Sequence, residues 1–393
     1  MWPCRILFVA VFAIKELCAS DTLGSTALTG LSGLSEGESF SCRDEALTGS
    51  DEKVFEGVEK RIEIRFRVPE GNQAGLRAVN RGRLDEICEA SKCTIIHAEP
   101  DRCFDSYILS ESSLFVFRDR IMIKTCGTTR PLSGVSLILQ AAREVDLSPL
   151  EMTYSRSSFV FPDLQLFPHD SLDNEKTYLD DLFEGSEDVM TSETYILGKL
   201  DDSYWLVHKK IFNSEDRGVE VIAAPRQIML DCIMTGLSSD VCESYWKDAD
   251  ASAMVDHGAD MSGPVESLID NFRVIGKAFD PCGFSANVHS LENEDYLTVH
   301  VTPEEAFSYA SVEGSFSGIN LDRDKLGTFL QNVADRFQPR QLLVTVLSRG
   351  PDDMVDVARD LSSRLGAYRS SEMSFFSLSG DTTAASIVFV LEE

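Results

Sequence analysis

Residues 107–116 of this chain read Tyr-Ile-Leu-Ser-Glu-Ser-Ser-Leu-Phe-Val, and residues 124–129 read Lys-Thr-Cys-Gly-Thr-Thr. In the first stretch, apolar triplets stand on both sides of a polar segment, a pattern that predicts two strands joined by a short connection. Hydroxyl and carboxylate groups between buried strands cost free energy unless they are hydrogen-bonded or used in chemistry. The pattern alone leaves two interpretations open, a polar turn and a reactive site.

Length and charge narrow the classes of protein to consider. The chain has 393 residues, enough for one large domain or two ordinary ones, and its formal charge is −29 at pH 7. An acidic surface repels nucleic-acid phosphates and anionic lipid, so neither is expected as a partner. None of the ten cysteines forms a paired Cys-x-x-Cys unit. We therefore expect free thiols of a reducing compartment and no zinc site.

The N-terminal region supports two interpretations. Residues 6–14 are an apolar run preceded by Arg5, and Cys18-Ala19-Ser20 could form a cleavage site. Residues 1–20 are thus either a secretory or organelle-targeting segment or a plain extension of a cytoplasmic enzyme. The run is too short to span a bilayer as a helix, so stable membrane insertion is not expected. Residues 21–52 are rich in Gly, Ser, Thr and acidic residues and predict a disordered lead. We expect an extension over 1–52 and a folded domain over 53–393.

Periodicity in the rest of the chain indicates the fold class. From Glu59 to Val68, apolar and charged residues alternate, which predicts a half-buried strand with its charged side facing water. Further strands are predicted, one of them at Val219–Ala223, and Cys232–Trp246 is predicted to be helical. Hairpin-like strands with interspersed helices indicate an α+β fold rather than a doubly wound parallel sheet. No Gly-x-Gly-x-x-Gly motif and no P-loop sequence is present.

Three further blocks accompany the opening stretch. They are Phe55-Glu56-Gly57-Val58-Glu59-Lys60, Phe279-Asp280-Pro281-Cys282-Gly283-Phe284-Ser285 and Val299-His300-Val301-Thr302-Pro303-Glu304. In order and spacing, the four blocks resemble those of the eukaryotic S-adenosylmethionine decarboxylases, and the resemblance extends from about Val54 to the end. It implies a four-layer αββα sandwich of two antiparallel sheets with helices on the outer faces. It also implies a role in supplying the aminopropyl donor for spermidine and spermine.

The chemistry of such an enzyme requires an electrophile that side chains lack. Decarboxylation of an α-amino acid leaves electrons on Cα, and a carbonyl linked to the substrate amine as a Schiff base can accept them. The resemblance implies that the chain makes a pyruvoyl cofactor by cutting itself between Glu111 and Ser112. The products would be a β chain of residues 1–111 and an α chain of residues 112–393. The residues alone do not choose Ser112 over Ser110 or Ser113; the family motif does.

Residue roles follow from the same resemblance. Ser285 and His300 match positions that assist the self-cleavage, and Cys126 matches the donor that protonates Cα after carbon dioxide leaves. Without the resemblance, His300 would be interpreted as a core histidine and Cys126 as a small buried apolar residue. The remaining matches are acidic residues near the reacting centre (Glu56, Glu59), aromatic rings that sandwich adenine (Phe55, Phe279), a ribose carboxylate (Glu304) and the backbone facing the adenine edge (Leu109, Glu111). Spacing alone would make Glu56 and Glu59 part of an exposed charged turn.

The sequence departs from the animal members at the site where those enzymes bind putrescine. Glu63 and Glu313 match carboxylates of that site. In contrast, Arg61 stands where animal members have an apolar residue, and Arg226-Gln227-Ile228 stands where they have an aspartate and a threonine. A further arginine, Arg156, is close by in the motif Tyr154-Ser155-Arg156. An internal guanidinium could satisfy the carboxylates that a diamine otherwise bridges. The pattern resembles the plant enzymes and predicts that putrescine does not activate this one.

An alternative from another functional class is a catalytically dead paralogue that binds and activates a partner decarboxylase. The feature that separates the two is the set of processing and protonation residues. Glu111, Ser112, Cys126, Ser285 and His300 are all present. The sequence therefore favours the enzyme.

Overall fold

The computed structural model describes residues 54–184, 188–200, 203–213, 227–246, 265, 268, 271–317, 323–350 and 354–392. The predicted extension over 1–52, its two interpretations and the predicted strand at Val219–Ala223 lie outside these residues and stay predictions. Residues Val54–Glu393 form one compact unit. No helix in the described part of the chain is long and apolar enough to cross a membrane. The seven cysteines in this part are free thiols.

Two eight-stranded antiparallel sheets form the centre of this unit. The first sheet has the order β2-β3-β4-β5-β1-β6-β8-β7. Its strands are β1 (Lys60–Arg67), β2 (Ile95–Pro100), β3 (Asp105–Leu109), β4 (Ser112–Val116), β5 (Arg120–Thr125), β6 (Ser148–Ser157), β7 (Val189–Gly198) and β8 (Tyr204–Phe212). The second sheet has the order β10-β11-β12-β13-β9-β14-β16-β15. Its strands are β9 (Gln227–Thr235), β10 (Phe272–Ala278), β11 (Phe284–Ser290), β12 (Tyr296–Thr302), β13 (Tyr309–Ser317), β14 (Gln341–Arg349), β15 (Tyr368–Leu378) and β16 (Thr382–Leu391).

The helices cover the two outer faces. Helices α1 (Arg81–Ala90), α2 (Val135–Glu144) and α3 (Leu172–Asp181) pack apolar side chains on the first sheet. Helices α4 (Ser239–Glu243), α5 (Arg323–Phe337) and α6 (Met354–Leu361) do the same on the second sheet. Smaller apolar clusters combine residues of both sheets, such as Trp205 with Met229 and Phe115 with Tyr296. The layers are therefore helix, sheet, sheet, helix, which confirms the expected four-layer α+β sandwich.

The two sheets have the same strand order. Adding eight to each strand number of the first sheet gives the order of the second. The helices correspond as well, since α1, α2 and α3 occupy the same places in the chain order as α4, α5 and α6. The described fold is thus a structural duplication, although the sequence shows no repeat on inspection. Equivalent strands β4 and β12 carry the candidate residues Ser112 and His300.

Two predictions about individual segments were wrong. The strand predicted from Glu59 to Val68 is not half-buried, because the charged side of β1 faces the second sheet and residues Lys60–Phe66 are all buried. The segment Cys232–Trp246 is not one helix. It begins in β9, a central strand of the second sheet, and only α4 within it is helical. The apolar residues of Gln227–Thr235 stand on both sides of Asp231 and show no period that separates a buried strand from a buried helix.

Candidate active site

The hairpin between β3 and β4 carries the candidate cleavage point. Leu109 pairs with Ser112 across the hairpin, and Ser110 and Glu111 form its turn. Ser112 is buried and has a φ of 140°, a conformation that costs a side-chain-bearing residue free energy. The Ser112 hydroxyl donates to Glu59 Oε1 at 2.8 Å and lies 3.0 Å from His300 Nε2. A strained serine therefore lies between a carboxylate and an imidazole.

His300 comes from the second sheet and is oriented by Ser285. The two residues face each other in the β11–β12 ladder, and His300 Nδ1 lies 2.9 Å from Ser285 Oγ. Burial lowers the pKa of His300 to about 4, although Glu59 acts in the opposite direction. The imidazole is therefore neutral at pH 7 and is able to accept a proton. The interpretation of His300 as a core histidine without further contacts is not supported, because its ring reaches Ser112 in the other sheet.

The Glu59 carboxylate is buried and ionised. Burial by itself raises the pKa of Glu59, but the charge of Lys124 and hydrogen bonds from Ser311 and Ser112 outweigh it and leave that pKa below its ordinary value. The Lys124 ammonium lies 3.2 Å from Glu59, 3.3 Å from Asp231 and 3.3 Å from Glu313. One lysine thus forms ion pairs with three carboxylates between the sheets.

Cys126 contacts the carbonyl group at the candidate cleavage point. Its backbone N–H donates to Glu111 O at 3.0 Å, and its thiol donates to the same oxygen at 3.2 Å. Two donors on one carbonyl draw electron density from the carbonyl carbon. Burial, together with the charges of Glu111 and Glu59, raises the pKa of Cys126 well above its ordinary value. The thiol is therefore protonated at neutral pH.

The turn after Cys126 packs against the segment before β1. Gly127 has a φ of +63°, and a Cβ at this position would lie 3.2 Å from the Phe55 ring, so the turn requires glycine. Next to Phe55, the Glu56 carboxylate accepts backbone N–H groups of Val58 at 3.0 Å and Phe161 at 2.7 Å. Glu56 and Glu59 are both buried. The interpretation of this segment as an exposed charged turn was wrong, because its carboxylates have partners inside the protein.

Two candidate substrate residues lie at loops of the second sheet. Phe279 follows β10 and is half-buried beside Gly283. Glu304 follows β12, and its Oε2 is buried without a hydrogen-bond partner among the described residues. Burial raises the pKa of Glu304, while a hydrogen bond from the Cys282 thiol acts in the opposite direction. An unpaired buried carboxylate oxygen needs a hydrogen-bond donor.

The carboxylates matched to the putrescine site have an internal cation. Arg61 Nε lies 2.9 Å from Glu313, and Arg61 Nη2 lies 2.7 Å from Glu63. The proposed contribution of Arg156 was wrong, because its guanidinium pairs with Glu175 at 2.8 Å beneath α3. Arg226 lies outside the described residues.

The sequence interpretation missed Lys124 as part of the site. A charged residue near the end of the apolar strand Arg-Ile-Met-Ile-Lys-Thr is a signal that could have found it, since a buried ammonium requires anionic partners. It also missed Asn287, which accepts from Ser113 Oγ at 2.6 Å and whose Nδ2 has no hydrogen-bond partner among the described residues. Asn287 lies on β11, where polar and apolar residues alternate and all are buried, so the pattern alone gave no signal for it.

Fold and site together define a double-sheet protein in which Ser112 and His300 are buried between the sheets, with the Cys126 turn beside Ser112. The family model for adenosylmethionine decarboxylase matches residues 52–389, and the chain belongs to this family. The S-adenosylmethionine decarboxylase proenzyme of Catharanthus roseus is 38% identical over 299 residues, which cover 74% of this chain and 79% of the relative. That of Vicia faba is 36% identical over 301 residues, which cover 74% and 80%. The resemblance inferred from the four sequence blocks is confirmed, as is the enzyme class that it implied.

A solved structure is also similar. It is a Trypanosoma brucei AdoMetDC-delta26 monomer, with 21% sequence identity and a TM-score of 0.49. The match covers 71% of this chain and 99% of that one.

Proposed function

We propose that this chain is a self-processing decarboxylase that converts S-adenosylmethionine to its decarboxylated form and carbon dioxide. The product would serve as the aminopropyl donor for spermidine and spermine. The observation that carries the proposal is the position of Ser112. Its hydroxyl lies between Glu59 and His300, on a strained hairpin whose preceding carbonyl accepts two hydrogen bonds from Cys126.

Self-cleavage begins with attack of Ser112 Oγ on the carbonyl carbon of Glu111. A carbon–oxygen bond forms, the peptide carbon–nitrogen bond breaks, and the hydroxyl proton passes to the freed Ser112 amine. Glu59 and the neutral His300 both contact the hydroxyl and are placed to relay this proton. The two Cys126 donors stabilise the charge that develops on the carbonyl oxygen. The positive φ of Ser112 favours the step, because cleavage releases the strain.

Elimination completes the cleavage. A base removes the Cα proton of Ser112, the bond between Cβ and Oγ breaks, and Glu111 leaves as a carboxylate. His300 is the candidate base, and Ser285 holds its ring through Nδ1 at 2.9 Å. Water then hydrolyses the resulting dehydroalanine, with release of ammonia, and leaves a pyruvoyl group at the start of β4.

The residues present fit this covalent group. The pyruvoyl carbonyl supplies the acceptor for the electrons that the departing carboxylate leaves behind. It would stand at residue 112. The adjacent Ser113 contacts Asn287 on β11 of the second sheet, whose Nδ2 is buried without a partner among the described residues. Cys126, protonated at neutral pH, delivers a proton to the substrate carbon that loses carbon dioxide. A general acid of this kind typically contributes roughly 10²–10⁴ in rate.

Substrate binding involves the two half-buried rings and the unpaired carboxylate. Phe55 and Phe279 would bracket the adenine, and the positive sulfonium gains about 1 kcal/mol from a nearby aromatic face. Glu304 Oε2 would accept hydrogen bonds from the ribose hydroxyls, which supplies the partner that it lacks among the described residues. Backbone groups of Leu109 and Glu111 would face the adenine edge.

The same interior supports activity without putrescine. Arg61 bridges Glu313 and Glu63, so these carboxylates already have a cation. A diamine would have to displace a buried guanidinium that contacts both carboxylates.

Intact mass spectrometry under denaturing conditions tests the proposal. We expect two fragments divided between Glu111 and Ser112, with the larger one lighter by one ammonia than a fragment that begins with serine. A Ser112→Ala variant should stay in one piece. A wild-type chain that remains uncleaved after incubation, with or without putrescine, would refute the proposal.

A further inference from the structure

Lys60 is a buried ammonium that the mechanism above does not use. It is the first residue of β1, directly after Glu59, and its side chain is fully buried. Its Nζ donates to Gly127 O at 2.7 Å and to Gln165 Oε1 at 2.9 Å, and it lies 5.3 Å from the centre of the Phe159 ring. Burial of an ammonium is costly, so this placement needs a compensating interaction.

The carbonyl that Lys60 holds belongs to the turn that carries Cys126. The Gly127 N–H donates to Glu56 O at 2.8 Å, and the Thr129 hydroxyl donates to Cys126 O at 2.6 Å. Three hydrogen bonds therefore hold this turn in place, and the donor from Lys60 is the charged one among them. A shift of this turn would move the Cys126 thiol away from Glu111.

Lys60 also interacts electrostatically with the Cys126 thiol. Burial and two carboxylates raise the pKa of Cys126, whereas Lys60 lowers it. Burial lowers the pKa of Lys60 to about 8, whereas negative charge on Cys126, once its thiol ionises, and on Glu56 acts in the opposite direction. The titratable and charged groups that act on Lys60 from the elements packed around it are Glu56, Cys126, Glu175, Arg156 and His169.

We propose that Lys60 is a positioning residue for proton donation by Cys126. It fixes the turn through the Gly127 carbonyl and supplies positive charge beside the thiolate that remains when the proton has left. This inference rests on the proposed function, since it assigns Cys126 the role of proton donor. It predicts that decarboxylation weakens as Lys60 loses its proton above about pH 8.

Two measurements test the proposal, and one of them does not need an active enzyme. The first is the rate at which iodoacetamide alkylates Cys126 in the uncleaved Ser112→Ala chain, followed by peptide mass spectrometry across pH. Loss of a stabilising cation from a thiolate raises the thiol pKa, and one pKa unit corresponds to about tenfold in thiolate population. We expect Lys60→Met to slow the alkylation of Cys126 by about tenfold at a fixed pH near 8.

The second measurement is the pH profile of kcat and KM in the processed enzymes. Lys60→Met should lower kcat more than it changes KM, because the proposal assigns Lys60 to the turn that carries the proton donor and not to substrate binding. Lys60→Arg keeps the charge above pH 8 and should move the alkaline decline to higher pH. Lys210→Met is the matched control. It removes another buried lysine, whose partners Asp180 and Ser192 lie on α3 and β7, and it should leave the profile unchanged.

A further variant keeps the proposal testable if Lys60→Met does not fold. Gln165→Glu places an anion 2.9 Å from the ammonium, which should raise the Lys60 pKa and shift the alkaline decline upward. Unchanged Cys126 alkylation in Lys60→Met, an unshifted decline in Gln165→Glu, or an equal effect of Lys210→Met would each overturn the role of Lys60. Failure of the wild type to cleave would instead refute the proposed function, while the alkylation series on the uncleaved chain would still report on Lys60.

Discussion

Replacement of Lys124 by methionine tests whether one buried ammonium holds the interior between the sheets together. Lys124 lies 3.2–3.3 Å from the carboxylates of Glu59, Asp231 and Glu313. Methionine fills a similar volume without the charge, so it leaves three buried carboxylates with less compensation. Removal of one partner from a buried ion pair typically costs about 3–5 kcal/mol.

The pH dependence sharpens this prediction. The pKa values of Glu59 and Glu313 are lowered in the folded state, so their stabilising contribution is complete above the ordinary glutamate range and is lost as the pH falls. The pKa of Lys124 is raised, so it remains charged throughout neutral pH. The pKa of Asp231 is already raised to about 6 by burial, so this group takes up a proton first in the variant. We expect a loss of about 3–5 kcal/mol at pH 7 and a clearly smaller loss near pH 5.

The assay is thermal and urea unfolding of the uncleaved Ser112→Ala chain with and without Lys124→Met. For a domain of this size, each kcal/mol lowers Tm by about 2–4 °C, so the expected decrease is on the order of 10 °C. Lys210→Met is a suitable control, since Asp180 is about a third exposed and the pair is worth about 1 kcal/mol. Addition of Glu313→Gln to Lys124→Met should restore part of the loss, because it removes surplus negative charge. A loss below about 1 kcal/mol, or one that is equal at pH 5 and pH 7, would refute the electrostatic explanation.

Four further outcomes follow from the site. His300→Ala should slow cleavage by roughly 10²–10⁴ and let the ester intermediate accumulate. Hydroxylamine would reveal the ester, because it splits the chain at that bond. Cleavage at the wild-type rate would exclude His300 as the base. Burial lowers the pKa of His300 to about 4, so the processing rate should be constant between about pH 6 and 8. The rate should fall at lower pH as the imidazole gains a proton, and timed gel measurements across pH would show this. Cys126→Ser should still cleave but should release labelled carbon dioxide roughly 10²–10⁴ more slowly, since a serine hydroxyl is a far weaker acid. Putrescine at millimolar concentration should change neither processing nor turnover in the wild type, and a severalfold rise in either would reject the role given to Arg61.

The sequence was sufficient where the controlling interactions are local. The pattern around Leu109 and Leu114 predicted two strands and a polar connection. Both strands are present, and they form a hairpin whose turn is Ser110-Glu111. The family assignment likewise depended on short blocks whose residues can be read directly. The roles of individual site residues came from the resemblance and not from pattern, because residues such as Ser112 and His300 lie 188 positions apart.

The interior between the sheets could not be predicted in the same way. Strand β1 alternates charged and apolar residues, as a strand does when its polar side meets water. Here the polar side meets Glu313 and other residues from the far half of the chain. A single sequence gives no sign that a second sheet brings complementary charges to this face. For the same reason Lys124 was left out of the predicted site, although its charge on an apolar strand was visible.

The position of β1 determines what the proposed cleavage does to the whole molecule. The fragment that ends at Glu111 contributes β1, β2 and β3, and β1 pairs with β5 on one side and β6 on the other. Both of these neighbours belong to the downstream fragment, so the two fragments cannot separate unless the first sheet unfolds. Neither could be exchanged or renewed alone, and proteolysis of one would inactivate the other. The lifetime of the mature enzyme in a cell would then be that of its less stable fragment, and replacement would require synthesis of a complete precursor.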